Sequence, residues 1–288
     1  MACYVCSLNH SCTAGDAAVL RYDRASRCAV LHAHRAYAAG DQVFDSYGVG
    51  RAPIDTLLDY GFAELPGEED SDADADNESG SDDDDDLVFP VDRIDLPASA
   101  LGAVATANAA LLAAVGLPPE AATAALGCDG PDDGVLAWAR VAAATPAELG
   151  AAGWSDAAAS AVLRARGAGQ PVAASVQQLA YNVMGSFIAR VSASNEAAAL
   201  QRLASACQAQ MAAYPTTLQA DEALLAECGE ASAAPDARAH ARLHALRAVV
   251  SEKRALEGAA AAIAAAQAAL RKTADRGAAP KARGRRRL

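Results

Sequence analysis

The apolar residues near the start of the chain fall in short runs. Ala18-Val19-Leu20-Arg21-Tyr22 and Cys28-Ala29-Val30-Leu31-His32-Ala33 flank a polar stretch over 23–27, the signature of a β-hairpin. Ala39-Gly40-Asp41-Gln42 reads as a turn and Val43-Phe44-Asp45-Ser46-Tyr47 as a further strand. Over 53–60 the period changes. Ile54, Leu57 and Leu58 stand at i, i+3 and i+4, predicting a short helix that Gly61 stops. From residue 98 onward the pattern is helical. Leu101, Val104, Leu111 and Val115 mark one face, with the polar Asn108 at the same spacing between them and Gly116 at its end. Shorter helices are predicted over 135–144 and 155–166. Over 172–191 the series is Val176, Leu179, Val183, Phe187 and Val191, and over 196–213 it is Leu200, Leu203, Cys207 and Met211. Thr216 with Gln219 reads as a capping box opening a helix over 218–228. Over 236–272, Val249, Leu256, Ile263 and Leu270 recur every seven residues, a seam for a partner helix.

Composition changes this picture in two ways. First, 79 of the 288 residues are alanine and only 5% are aromatic, so the core must come from a modest set of larger side chains. Burial stabilises in proportion to apolar area, at about 25 cal/mol per Å², and alanine has little to bury. No run holds about 18 large apolar residues, so no membrane span is expected. Second, the charge is uneven. The net charge is −12, yet Glu68, Glu69, Asp70, Asp72, Asp74, Asp76, Glu78 and Asp82 to Asp86 crowd into one low-complexity segment. Residues 66–86 are expected to be a disordered acidic insert, because they have too little apolar surface to offset their ordering entropy. Residues 273–288 read as a basic, disordered tail. Neither a membrane nor a nucleic acid is expected as partner.

Seven cysteines at 3, 6, 12, 28, 128, 207 and 228 are odd in number and irregular in spacing, which favours reduced thiols. Cys3, Cys6, His10 and Cys12 make one knuckle, whereas structural zinc draws on two. His240 and His244 stand at i, i+4 but lack the acidic residue between them that a zincin uses. No metal is expected.

Three strings in the first 65 residues occur in a telling order: Leu8-Asn9-His10-Ser11, then Gly40-Asp41-Gln42-Val43 leading to Ser46-Tyr47-Gly48, then Tyr60-Gly61-Phe62. Together they resemble the C-terminal half of a SET domain, as found in the Rubisco large-subunit methyltransferase-like family of protein-lysine methyltransferases. Later strings resemble that family's helical substrate-binding domain. They are Gly134 to Val141, Ser194-Asn195-Glu196, Tyr214-Pro215-Thr216-Thr217-Leu218 with Asp221-Glu222, and Ser251-Glu252-Lys253 with Leu256.

The resemblance implies an α+β chain: a partial, β-rich SET domain over 1–65, the insert over 66–86, and a mainly α-helical substrate-binding domain over 87–272. It implies S-adenosylmethionine (AdoMet) as cofactor and a protein substrate, such as the Rubisco large subunit or aldolase. It places Tyr47 on the catalytic tyrosine, Asn9, His10 and Phe62 at the cofactor, and Tyr60 in the substrate channel. Methyl transfer needs a neutral lysine, and deprotonating one at pH 7 costs on the order of 4–5 kcal/mol, which an apolar channel reduces. The family's Gly-rich opening segment has no counterpart here, so the chain is expected to be truncated. Two readings therefore stand, a lysine N-methyltransferase or a non-catalytic module that binds protein through its helical domain. An alanine-rich composition and the family together suggest the chloroplast, otherwise the cytoplasm or nucleus.

Overall fold

The computed structural model describes residues 8–11, 21–33, 35–48, 50–65, 92–230 and 237–278. The acidic insert, most of the basic tail, the strand residues 18–20, Cys3, Cys6, Cys12 and His34 lie outside the described residues. In chain order the elements are β1 (Asn9–His10), β2 (Arg21–Asp23), β3 (Cys28–Val30), β4 (Phe44–Asp45), α1 (Pro53–Tyr60), β5 (Arg93–Pro97), a 3-10 turn (Ala98–Leu101), α2 (Thr106–Ala114), β6 (Thr123–Gly127) and β7 (Gly130–Pro131). Helices follow: α3 (Asp133–Ala143), α4 (Pro146–Ala151), α5 (Asp156–Gly167), α6 (Ala174–Ser186), α7 (Ala193–Ala213), α8 (Leu218–Glu230) and α9 (Ala237–Ala278). The fold is α+β, dominated by helix.

Contacts group the described residues of 1–92 with 216–253, and 93–215 with 254–278. The sequence reading instead kept 87–272 in one domain. The difference lies in α8 and the first part of α9, whose contacts run to the N-terminal residues. Local pattern cannot report this, because it comes from packing between residues about 180 apart, such as Ala63 and His244.

In the first unit β1 pairs parallel with β4, Asn9 opposite Phe44 and His10 opposite Asp45. β2 and β3 form the expected hairpin, with Tyr22 opposite Ala29. Its turn is held by Asp23, whose carboxylate accepts from the Ala25 and Ser26 amides at 3.0 Å each and from the Ser26 hydroxyl. These bonds, the Ser26 hydroxyl foremost, hold the Asp23 carboxyl below its usual range. Helix α1 matches the predicted span and ends at Gly61, whose φ of 85° is the left-handed cap that glycine favours.

α8 and the first part of α9 join through a buried lysine. Lys253 is wholly buried. Its ammonium donates to the Thr216 carbonyl at 2.7 Å, to Thr216 Oγ1 at 2.9 Å and to the Asp221 carboxylate. All three donors of the ammonium are thus used. This corrects the capping expectation. Thr216 is taken up by Lys253 and Asp221, and the hydroxyl that caps α8 is that of Thr217, accepting from the Ala220 amide at 3.2 Å.

The second unit contains a three-stranded antiparallel sheet, β5-β6-β7, that was not predicted. Thr123-Ala124-Ala125-Leu126-Gly127 reads as a helical fragment by propensity. It becomes a strand because β5 supplies a five-residue partner with Ile94 opposite Leu126 and Leu96 opposite Ala124, all four buried. Pairing and burial override a weak local preference. The helices pack α2 against α5 and α3 against α7, around Leu111, Leu112, Val141, Val162, Phe187 and Leu203. Helix α6 ends at Ser186 rather than 191, with Phe187 buried as its C-cap, and α9 runs past the expected 272 to Ala278.

Polar groups close the helix ends. Asn108, the odd residue on the apolar face of α2, donates to the Val141 and Ala144 carbonyls at 2.7 and 2.8 Å. Arg140 forms a two-pronged pair with Glu196, its Nε 2.6 Å from Oε2 and Nη2 3.0 Å from Oε1. It also donates through Nη1 to the carbonyls of Phe187 and Ile188. Ser192 caps α7 by accepting from the Asn195 amide at 3.0 Å and donates to Glu148 at 2.6 Å. That hydroxyl, with the Thr145 amide, holds the Glu148 carboxyl below its usual range.

Of the seven-residue series on α9, Leu256 and Ile263 are buried and Val249 and Leu270 half-buried. Between them Gly258 lies against the β6–β7 turn, where a Cβ would stand 2.5 Å from the Cys128 carbonyl oxygen and 2.6 Å from its Cα. Glycine inside a helix normally costs about 1 kcal/mol relative to alanine. Here Gly258→Ala should invert that sign and lower the melting temperature, read by circular dichroism. The buried pair gives a second test. Asp221→Ala removes the carboxylate from beside the buried Lys253 ammonium and should cost about 3–5 kcal/mol. The double variant Asp221→Leu with Lys253→Met should recover most of that loss in a denaturant titration.

Candidate active site

The parallel pairing of β1 with β4 brings the Asn9-His10-Ser11 string beside the Ser46-Tyr47-Gly48 string. The Ser11 amide extends the pairing by donating to the Asp45 carbonyl at 3.1 Å. Tyr47, two residues past β4, is then tied at both ends. Its backbone amide donates to His10 Nδ1 at 3.1 Å, and its hydroxyl donates to the Leu8 carbonyl at 2.7 Å. An accepting Nδ1 sets the neutral imidazole in the Nε2–H tautomer. That nitrogen lies 3.8 Å from Glu64 Oε2.

Helix α1 and its cap deliver the other two rings. Tyr60 is the last helical residue, Gly61 turns the chain, and Phe62 follows. Ring centroids of Tyr47 and Tyr60 are 4.5 Å apart, of His10 and Tyr47 5.2 Å with the planes nearly parallel, and of His10 and Phe62 5.7 Å. Tyr47–Phe62 and Tyr60–Phe62 are both 6.2 Å. These are the spacings at which aromatic pairs attract. His10 and Tyr47 are half-buried, while Tyr60 remains 49% exposed.

Four of the five residues singled out in the sequence thus meet in one cluster: His10, Tyr47, Tyr60 and Phe62. Asn9 is exposed on β1 and stands outside the cluster's ring contacts. Sequence reasoning missed Arg51 and Glu64. The Arg51 guanidinium lies 5.4 Å over the Tyr60 ring, donates to the Tyr47 carbonyl at 3.4 Å and pairs with Asp59. Neither residue sits in a recognisable string. Arg51 reaches the cluster only because α1 folds Tyr60 back toward β4.

Chemically, the cluster offers aromatic faces, which attract cations by about 0.5–2 kcal/mol each, and the Arg51 guanidinium already lies over that of Tyr60. It also offers a tyrosine oxygen whose proton is already committed to a carbonyl. That oxygen can still accept a hydrogen bond through its lone pairs.

The family described as Rubisco LSMT substrate-binding matches residues 103–256. The chain belongs to this family. No curated protein matches the sequence. Among solved structures, the SET domain of LSMT bound to lysine and AdoHcy is similar, with a TM-score of 0.54, 16% identity, and coverage of 97% of this chain and 53% of that one. The structure of Rubisco LSMT bound to AdoMet gives a TM-score of 0.53 at 16% identity, covering 96% of this chain and 54% of that one. Rubisco LSMT bound to sinefungin and monomethyllysine gives 0.52 at 16% identity, covering 96% and 54%. These likenesses show the fold of this family member. The chain spans about half the length of those proteins. Among the described residues no helix is long and apolar enough to cross a membrane.

The Tyr47 tether generates a stability prediction. Tyr47→Phe removes one half-buried hydroxyl and leaves the Leu8 carbonyl without that donor. It should cost about 1 kcal/mol in a chemical denaturation series and leave the far-ultraviolet circular dichroism unchanged.

Proposed function

We propose that this family member serves AdoMet-dependent N-methylation of a lysine in a protein substrate, with the His10–Tyr47–Tyr60–Phe62 cluster as its catalytic half-site. The observation that carries this reading is the double tether of Tyr47 within that cluster. The hydroxyl's proton is held by the Leu8 carbonyl, so the phenol oxygen presents lone pairs to whatever lies before it.

The residues present fit a sulfonium ligand. The aromatic face of Phe62 would favour its positive charge, with His10 and Asn9 on β1 as the further cofactor contacts that the resemblance implies. When bound, AdoMet supplies an activated methyl group. The chain's own residues supply the rest. Tyr60 would line the substrate channel, where exclusion of water disfavours the ammonium form of the incoming lysine. Tyr47 accepts from the amine and holds it in line, an orientation effect. The helical domain, through its family, supports a protein rather than a small molecule as the substrate. We take the Rubisco large subunit and aldolase as the first candidates, and the chloroplast as the compartment.

Calorimetry of the 288-residue chain with AdoMet should give saturable binding, weakened several-fold in Phe62→Ala. Absence of heat would sink the proposal in favour of a pure binding module. Under single-turnover conditions with a protein substrate, Tyr47→Phe should lower the methylation rate by roughly 10² to 10³, the usual loss for one positioned polar group acting in the transition state. A rate within a factor of a few of the parent would remove Tyr47 from the catalytic list.

A further inference from the structure

The first turns of α9 carry a histidine pair that the proposed reaction does not use. His240 and His244 stand one helical turn apart, and their Nε2 atoms are 3.0 Å from each other. Their rings are edge-to-face with centroids 4.4 Å apart. His240 is exposed, while His244 is 7% exposed. On the far side of the buried ring, His244 Nδ1 lies 3.0 Å from the Ala63 carbonyl oxygen and 2.9 Å from the Ala63 amide nitrogen. The Ala63 carbonyl also accepts from Arg247 Nη1 at 3.2 Å.

We propose that His240 and His244 form a two-histidine site for a divalent first-row transition ion of the Ni²⁺, Cu²⁺ or Zn²⁺ class. The geometry carries this. Metal–imidazole bonds are about 2.0–2.1 Å, so two nitrogens bound at a right angle stand about 2.9 Å apart. The observed separation of the two Nε2 atoms is 3.0 Å, already that of neighbouring ligands. The outer contact is also in place. A ligating histidine commonly donates its other ring nitrogen to a carbonyl, which sets the tautomer and makes the free nitrogen more basic. In the tautomer that donates Nδ1–H to the Ala63 carbonyl, Nε2 keeps its lone pair for the metal; in the other, the Ala63 amide donates to Nδ1 and Nε2 carries the proton, so metal binding selects the first tautomer. One metal ion then replaces the single proton that the two Nε2 atoms otherwise share.

Imidazole suits this class of metal, whereas magnesium and calcium prefer oxygen. No group of three or more His, Cys, Asp or Glu residues converges among the described residues. Water would complete the coordination on the exposed His240 side. The sequence expectation of no metal at this pair rested on the lack of an acidic residue between the two histidines. What the fold adds is the pre-set nitrogen spacing and the Ala63 contact. Such a site would staple the first turns of α9, where the helix begins at Ala237.

The test uses the untagged 288-residue chain and Ni²⁺ alone. Calorimetric titration should show one binding event that weakens at least tenfold in His240→Ala, a substitution at an exposed position whose metal-free melt should match the parent. Hydrogen exchange should slow over 238–244 when Ni²⁺ is added, and only in the parent. His240→Cys, which keeps a soft ligand, should restore binding. Failure to bind Ni²⁺, equal binding by His240→Ala, or protection of 238–244 that survives the substitution would each overturn the proposal. None of these readouts involves methylation, so they stand or fall independently of the proposed reaction.

Discussion

An interior in which alanine shares the core with a modest set of larger side chains constrains everything else in this protein. Alanine releases little apolar surface on burial, so elements gain stability by approaching closely rather than by interleaving large side chains. Close approach buries backbone ends, and buried carbonyls must find donors. The structure meets that demand with a few long polar side chains. Asn108 closes the end of α3, Arg140 closes the end of α6, Asn195 donates to the Arg140 carbonyl at 2.9 Å, and Lys253 holds the Thr216 carbonyl. In each case a side chain buried in the core serves a main-chain acceptor. Charged members of the set are paired, Arg140 with Glu196 and Lys253 with Asp221, which is the condition under which burial of charge is tolerated.

The candidate active site follows a different logic. Its framework is slight: two two-residue strands, one eight-residue helix and a glycine cap. Precision comes from Tyr47, bonded through its amide to His10 and through its hydroxyl to Leu8. Those two bonds convert a strand end into a fixed platform against which Tyr60 and Phe62 pack. The ring cluster remains partly open at Tyr60, as a site for a cationic ligand requires. The histidine pair on α9 shares one feature with it. In both, a ring nitrogen is oriented by a main-chain group, so the direction in which the other nitrogen faces is decided by backbone.

Some of this was legible in the residues. Helix α1 was readable because Pro53, the i, i+3, i+4 triplet and Gly61 agree on both ends. The β2–β3 hairpin was readable because a polar turn separates two short runs. Four members of the aromatic cluster were readable because their strings occur in the order of a known family. Other features were not. The β5–β6–β7 sheet hides behind Thr123-Ala124-Ala125-Leu126-Gly127, whose propensity is helical until β5 lies alongside. The α8 cap slipped by one residue, since Thr216 and Thr217 are equivalent in sequence and only Lys253 distinguishes them. Arg51 joins the cluster because α1 brings Tyr60 back beside it, and Glu64 because the chain turns at Gly61; neither event is written in the local pattern.

What the amino-acid sequence determined by itself is therefore local: the span of α1, the β2–β3 hairpin and which family's strings are present. These depend on interactions within a few residues, or on order along the chain. The tertiary structure alone decided which polar residues are buried and what they serve. It grouped α8 and the start of α9 with the N-terminal residues and set the 3.0 Å spacing of His240 and His244. Those outcomes depend on distances between residues far apart in sequence, and a one-dimensional pattern does not contain such distances.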